Sequence, residues 1–137
     1  RICDLPMTVN ETVWIASLIQ ALVARLTELH RKNWEWRRYP TSFVQENKWR
    51  ALRYGINGSM IDWGRRQQKP FIELIEELIE FVEPAARRLG CLHEVLGVRN
   101  ILRNGCGADR QRKIYAERGG MIGLVDYIVE QTLVGTE

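Results

Sequence analysis

RICDLPMTVNETVWIASLIQALVARLTELHR, residues 1–31, joins two patterns that do not fit one small closed domain. Arg1-Ile2-Cys3-Asp4 alternates polar and apolar residues, and Pro6 stops the alternation. That pattern predicts the end of a strand over residues 1–5. A lone strand is not stable without a sheet, so the expected sheet lies outside this chain. A helix is predicted behind it, over residues 8–32. Thr8 and Glu11 stand at capping-box spacing at its start. Ile15, Leu18, Ile19, Leu22, Leu26 and Leu29 form its main apolar stripe, and Val13, Trp14, Ala16, Ala21 and Val23 widen it. A helix apolar nearly all round is buried on several sides. The rest of the chain is too short to cover it completely. The expected partner is the remainder of a longer polypeptide, another subunit or a second copy.

Further along, Asn33 to Pro40 reads as a loop rich in Trp and Arg. A helix is predicted over residues 42–55, with Gly55 as its left-handed cap. Asn57-Gly58 is a turn signal, Ser59 to Trp63 a short extended piece, and Gly64 a second turn. Residues 70–134 read as helical throughout. Pro70 opens an amphipathic helix with Phe71, Leu74, Ile75, Leu78, Ile79 and Val82 inward, and Pro84 is expected to break or restart it. Asn104-Gly105 and Gly119-Gly120 close two more helices, and the last begins at Met121. The expected fold class is mostly α, with five or six helices and one strand remnant.

The composition excludes several functions. At 137 residues, with 45% hydrophobic and 27% charged, the chain fits a single globular domain. No uninterrupted apolar run reaches membrane-spanning length, so no membrane partner is expected. Three cysteines without metal-ligand spacing point to reduced thiols and a cytoplasmic location. His30 and His93 have no ligand partner at helical spacing. The net charge is only +3, but Arg31 to Tyr54 carries seven basic residues against Glu35 and Glu46. A local patch of this kind implies an anionic partner.

The sharpest local signal lies inside that patch. In Glu46-Asn47-Lys48-Trp49-Arg50-Ala51-Leu52-Arg53-Tyr54-Gly55, helical spacing puts Asn47, Arg50 and Tyr54 on one face, with Lys48 beside it and Arg53 one turn past Arg50. Two guanidiniums and an amide suit a phosphate or carboxylate, because Arg presents a planar fork of donors and stays charged. Trp49 reads as a packing residue.

ENKWRALRYG (46–55) resembles the ENKWRA-R-(Y/F)-G motif of bacterial carboxylate–amine ligases in the second glutamate–cysteine ligase family. RICDLPMTVNETVWIASLIQALV (1–23) resembles that family's E-x-R-(V/I)-C-D strand and following helix, and GADRQRKIYAERGGMIGLVDYIVEQT (107–132) resembles its C-terminal helix pair. Three motifs in register are more specific than any one alone. The resemblance implies that residues 1–137 are the C-terminal portion of an α+β, glutamine-synthetase-like catalytic fold. It implies ATP and Mg²⁺ as cofactors, and a carboxylate (the glutamate side chain) activated as an acyl phosphate and attacked by an amine such as cysteine. It places the catalytic Arg1 on the active-site strand and the metal-binding Glu upstream of it. Arg50, Arg53, Asn47, Lys48 and Tyr54 would bind substrate or ATP phosphate. This portion alone is expected to be inactive.

Two other readings start from the same residues. A nucleic-acid-binding domain would use the interleaved aromatics and cations of residues 31–54, though the small whole-chain charge speaks against nucleic acid. A helical oligomerisation module would use the surplus apolar face of the first helix.

Overall fold

The computed structural model describes residues 6–35 and 37–134. Along the described chain come α1 (Val9–Arg31), α2 (Thr41–Tyr54), a 3₁₀ turn (Gly55–Asn57), β1 (Ser59–Asp62), β2 (Gln67–Pro70), α3 (Phe71–Leu89), α4 (Leu92–Asn104), α5 (Gly107–Glu117) and α6 (Met121–Leu133). The strand expected over residues 1–5, with Arg1, lies outside the described residues.

α1 begins where the local chemistry predicts. Thr8 is extended, at φ −120° and ψ 152°, and its hydroxyl accepts the Glu11 N–H at 3.2 Å. The Glu11 carboxylate turns inward, where it meets Arg110 of α5. α1 packs against α3 and α4. Ala21, Ile79, Val82, Ala86, Val95 and Val98 are the buried centre, flanked by Trp14, Leu18 and Leu22. The buried seam of α1 therefore runs through Trp14, Ser17, Leu18, Ala21 and Leu22. Ile19, expected on the inner stripe, is 44% exposed, because the seam follows the position of α3 and α4 rather than side-chain size. Val9, Val13 and Val23 are also exposed.

α1 is 23 residues long and holds an 18-residue window with a mean hydropathy of 1.3, so by length and composition alone it could cross a membrane. The sequence reading, which stopped at each polar interruption, counted no such run. In this fold one side of α1 is occupied by α3 and α4, and its buried Glu11 is ion-paired.

Pro84 does not break the third helix, which runs unbroken from Phe71 to Leu89. A proline there removes one N–H donor, and the buried Val82, Ala85 and Ala86 around it hold the helix in place. Gly90 ends α3 at φ 73°. Its N–H donates to Arg87 O at 3.2 Å and that of Cys91 to Ala86 O at 3.0 Å, the bond pair of a Schellman cap.

The hairpin is an addition to the expected fold. The short extended piece pairs as β1 with β2, antiparallel, with Ser59 opposite Pro70 and Asp62 opposite Gln67. β2 reads Gln-Gln-Lys-Pro and has no apolar alternation to announce it. Asp62 Oδ1 closes the turn by accepting the N–H groups of Gly64 (2.9 Å) and Arg65 (3.0 Å).

Glu28 ties α1 to α3. It accepts bonds from Arg25 (3.0 Å), Lys32 (3.1 Å) and, across the helix interface, Arg88 (2.8 Å). The Lys32 and Arg25 bonds, helped by Arg88, hold its carboxyl down to about 2. A depressed folded-state value contributes stability that is whole above the ordinary carboxylate pKa of 4.5 and is lost as pH falls toward 2. Replacing Glu28→Gln should therefore flatten the acid limb of a stability–pH profile between those values. An unchanged profile in thermal melts from pH 5 to pH 2 would contradict this role.

Candidate functional site

The predicted anion-binding face lies on α2, a helix with no buried residue, packed on one side against β1. Arg1 lies outside the described residues, so the face consists of Asn47, Lys48, Arg50, Arg53 and Tyr54.

Asn47 is engaged by the fold. Its Nδ2 donates to Ile61 O at 2.8 Å and its Oδ1 accepts from Ile61 N at 2.8 Å. Both ends of the amide thus close on one residue of β1, in the manner of an added strand. An anion at Asn47 would have to displace that pair. Asn47→Ala should cost about 2 kcal/mol, one for each bond, and leave two backbone groups unsatisfied. Faster hydrogen exchange at the Ile61 amide would register the loss, and unchanged exchange there would refute it.

Arg50 donates from Nε to Glu46 Oε1 at 2.8 Å, one helical turn back. This bond uses one nitrogen and leaves the two terminal nitrogens of the guanidinium available. Its side chain is only 20% exposed, so its position is held. Lys48 and Arg53 are exposed and form no ion pair with a described residue. Tyr54 is exposed and meets Trp49 edge-on, with ring centroids 5.8 Å apart and planes at 89°. Trp49, expected to pack inward, is 53% exposed and rests on Tyr54. Because β1 takes the Asn47 side of the helix, the rings at 49 and 54 are left outside.

The helix ends at Gly55, at φ 59° and ψ −148°. That is the extended positive-φ region reserved for glycine, not the left-handed helical cap that the sequence led us to expect. The chain continues into the 3₁₀ turn and β1, which returns Ile61 to Asn47. Cations in the last turn, here Arg53, also offset the negative end of the helix dipole. The face thus combines a structural clamp (Asn47), a positioned guanidinium (Arg50) and two cations without partners among the described residues (Lys48, Arg53).

At the C-terminal motif, Asp109 Oδ2 accepts from the Cys106 backbone N–H (3.3 Å) and thiol (3.0 Å) and so caps α5. The Cys106 bond lowers the Asp109 carboxyl, with Arg112 assisting. Arg110 is paired with Glu11. Asp109 is thus occupied in capping α5, and Arg110 in holding α5 to α1.

Comparison with known proteins gives the arrangement a context. The model of glutamate-cysteine ligase family 2 matches residues 1–130. A protein of Solibacter usitatus named "Putative glutamate--cysteine ligase 2" is 45% identical over 98% of this chain. Proteins of the same name from Sorangium cellulosum and Rhodospirillum rubrum are 42% and 39% identical, over 98% and 97% of the chain. The chain spans 35–36% of the length of these curated relatives.

Proposed function

The chain belongs to glutamate-cysteine ligase family 2, and from that premise we propose that it forms part of an ATP-dependent carboxylate–amine ligase. The reaction joins the side-chain carboxylate of glutamate to an amine such as cysteine through an acyl phosphate. The match across residues 1–130 carries this reading. It is supported by the coverage of about a third of each relative, which fits one portion of a larger catalytic fold.

In this proposal Arg1 faces the reacting carboxylate or phosphate, and Arg50 and Arg53 supply cations to an anionic substrate. A phosphoryl group in transfer needs fixed positive charge around it, and guanidiniums provide it without proton exchange. Lys48 adds charge and Tyr54 an aromatic edge. Among the described residues no three His, Cys, Asp or Glu side chains gather as metal ligands. The proposal assigns the ligands of Mg²⁺ to polypeptide upstream of Arg1, as the family resemblance implies, and derives no step through the metal. The exposed Val9, Val13 and Val23 of α1 and the exposed Met121, Ile122, Val125 and Val129 of α6 offer surface to that polypeptide, to another subunit or to a second copy.

The test is amide formation by the full-length protein carrying this chain, with glutamate, cysteine, ATP and Mg²⁺. Stoichiometric phosphate release with amide product is expected, and the 137-residue chain alone should form none. Arg53→Ala in the full-length protein should lower kcat/KM by about tenfold or more, the worth of one charge-assisted bond. Wild-type kinetics in that variant would remove Arg53 from the site.

A further inference from the structure

Beside the first turn of α2 lies a cavity of about 500 Å³ with a mostly apolar lining, to which Tyr39, Pro40, Phe43, Ile61 and Trp63 contribute. Three arginines also border it without making that lining polar. The wall is built in advance of any ligand. The Phe43 and Trp63 rings stack with centroids 3.8 Å apart and planes at 15°, and Trp63 Nε1 donates to Phe43 O at 3.2 Å. The Tyr39 hydroxyl stands 3.4 Å from where a Cβ on Gly64 would be, so the hairpin turn closes against that ring.

The cavity and the anion-binding face are joined. Phe43, Asn47 and Arg50 stand at i, i+4 and i+7, so they share one side of α2. β1 lies along that side, and Ile61 takes part in both regions: its backbone bonds to the Asn47 amide, and it lines the cavity. Phe43 and Arg50 are about 10 Å apart along the helix axis. Glu46 holds Arg50 through Nε, which leaves the terminal nitrogens for a carboxylate. A held cation at one end of this strip and a ring-lined apolar cavity at the other are the complement of an amino acid with a bulky apolar side chain. Cysteine is a poor match, since one methylene and one sulfur fill little of the space.

We propose that the amine substrate is an α-amino acid with a large apolar or aromatic side chain, its carboxylate on Arg50 and its side chain against Tyr39, Phe43 and Trp63. The reaction rests on the ligase reading, and the preference rests on the cavity. The volume is that of a small-molecule site. An apolar lining rewards the area removed from water, which a ring supplies and a thiol does not, and the stacked pair offers a ring an aromatic neighbour. The bond changes are those of the proposed ligase. The free amino group attacks the acyl-phosphate carbon, the C–N bond forms, the C–O bond to phosphate breaks, inorganic phosphate leaves, and the nitrogen loses one proton to water.

Calorimetric titration of the full-length protein with L-phenylalanine, L-cysteine and L-alanine, at saturating glutamate and a non-hydrolysable ATP analogue, tests the preference. L-Phenylalanine should bind about tenfold or more tightly than the other two, the worth of burying a ring. Tyr39→Ala, at a residue already 36% exposed, should keep the thermal midpoint and lower L-phenylalanine affinity about fivefold, with L-cysteine affinity unchanged. Arg50→Ala should weaken all three amino acids alike, because the carboxylate is common to them. In amide formation kcat/KM should follow the order of binding. L-Cysteine binding as tightly as L-phenylalanine would overturn the proposal, as would a preference untouched by Tyr39→Ala or a higher kcat/KM with cysteine. Amide from no amine at all would end the ligase reading, and the titrations would still decide whether the cavity selects a ring.

Discussion

Arg110→Met is expected to lower the unfolding free energy by about 3 kcal/mol, because it leaves a buried carboxylate without its partner. Glu11 is 5% exposed and its carboxylate meets the Arg110 guanidinium across 99 positions of sequence. Near the start of α1 the carboxylate also benefits from the positive end of the helix, but that interaction is small beside the desolvation of an ion. The pair is not ideal even when intact, since Arg110 Nε is buried without a hydrogen-bond partner. This asymmetry defines a second arm. Replacing both residues, as Glu11→Leu with Arg110→Met, removes the ion and the orphan together and should recover most of the loss. Urea unfolding followed by circular dichroism measures both variants. A single variant within about 1 kcal/mol of the parent would show that water reaches Glu11 and that the pair does not hold α5 to α1.

Gly97→Ala is the second large expected effect, at about 3 kcal/mol of lost stability, the upper end for overpacking a core. A Cβ at position 97 would stand 2.4 Å from Cδ1 and Nε1 of Trp14 and 2.6 Å from Cε2. Those atoms belong to a rigid ring, so the contact cannot be relieved by turning the end of a flexible chain. α4 would have to move from α1, and with it Val95 and Val98 of the core. Helix propensity pulls the other way, since alanine favours a helix by about 1 kcal/mol over glycine. The sign of the measured change therefore decides whether packing or propensity governs this position. Combining Gly97→Ala with Trp14→Leu should restore part of the stability, because the smaller side chain leaves room for the methyl group. If Gly97→Ala proved stabilising in urea titration, the close α1–α4 approach would be refuted.

Much of the helical layout was legible from local signals. Thr8, Gly90, Asn104-Gly105 and Gly119-Gly120 mark helix ends because capping depends on a few adjacent residues. The expectation that α1 carries more apolar surface than its neighbours cover agrees with the exposure of Val9, Val13 and Val23. β2 was not legible, since Gln67-Gln68-Lys69-Pro70 pairs through its backbone and carries no apolar pattern. Pro84 misled because a proline's local penalty is read without the packing that offsets it. Asn47 and Arg50 looked equivalent by spacing, yet one clamps Ile61 and the other holds Glu46. The Arg37–Pro40 stretch read only as part of a Trp- and Arg-rich loop, and its place beside Trp63 and Arg66 of the hairpin turn comes from the tertiary fold.

By itself the sequence determined which segments are helical, where most of them end, and to which family the chain belongs. These properties rest on neighbouring residues or on motif order, both of which survive without coordinates. Only the tertiary structure decided which side of α1 is buried, which cations are already paired, and that Arg37, Arg38 and Arg66 share one cavity. Burial and ion pairing join residues far apart in the chain, as Glu11 and Arg110 show, and no local spacing encodes such a meeting.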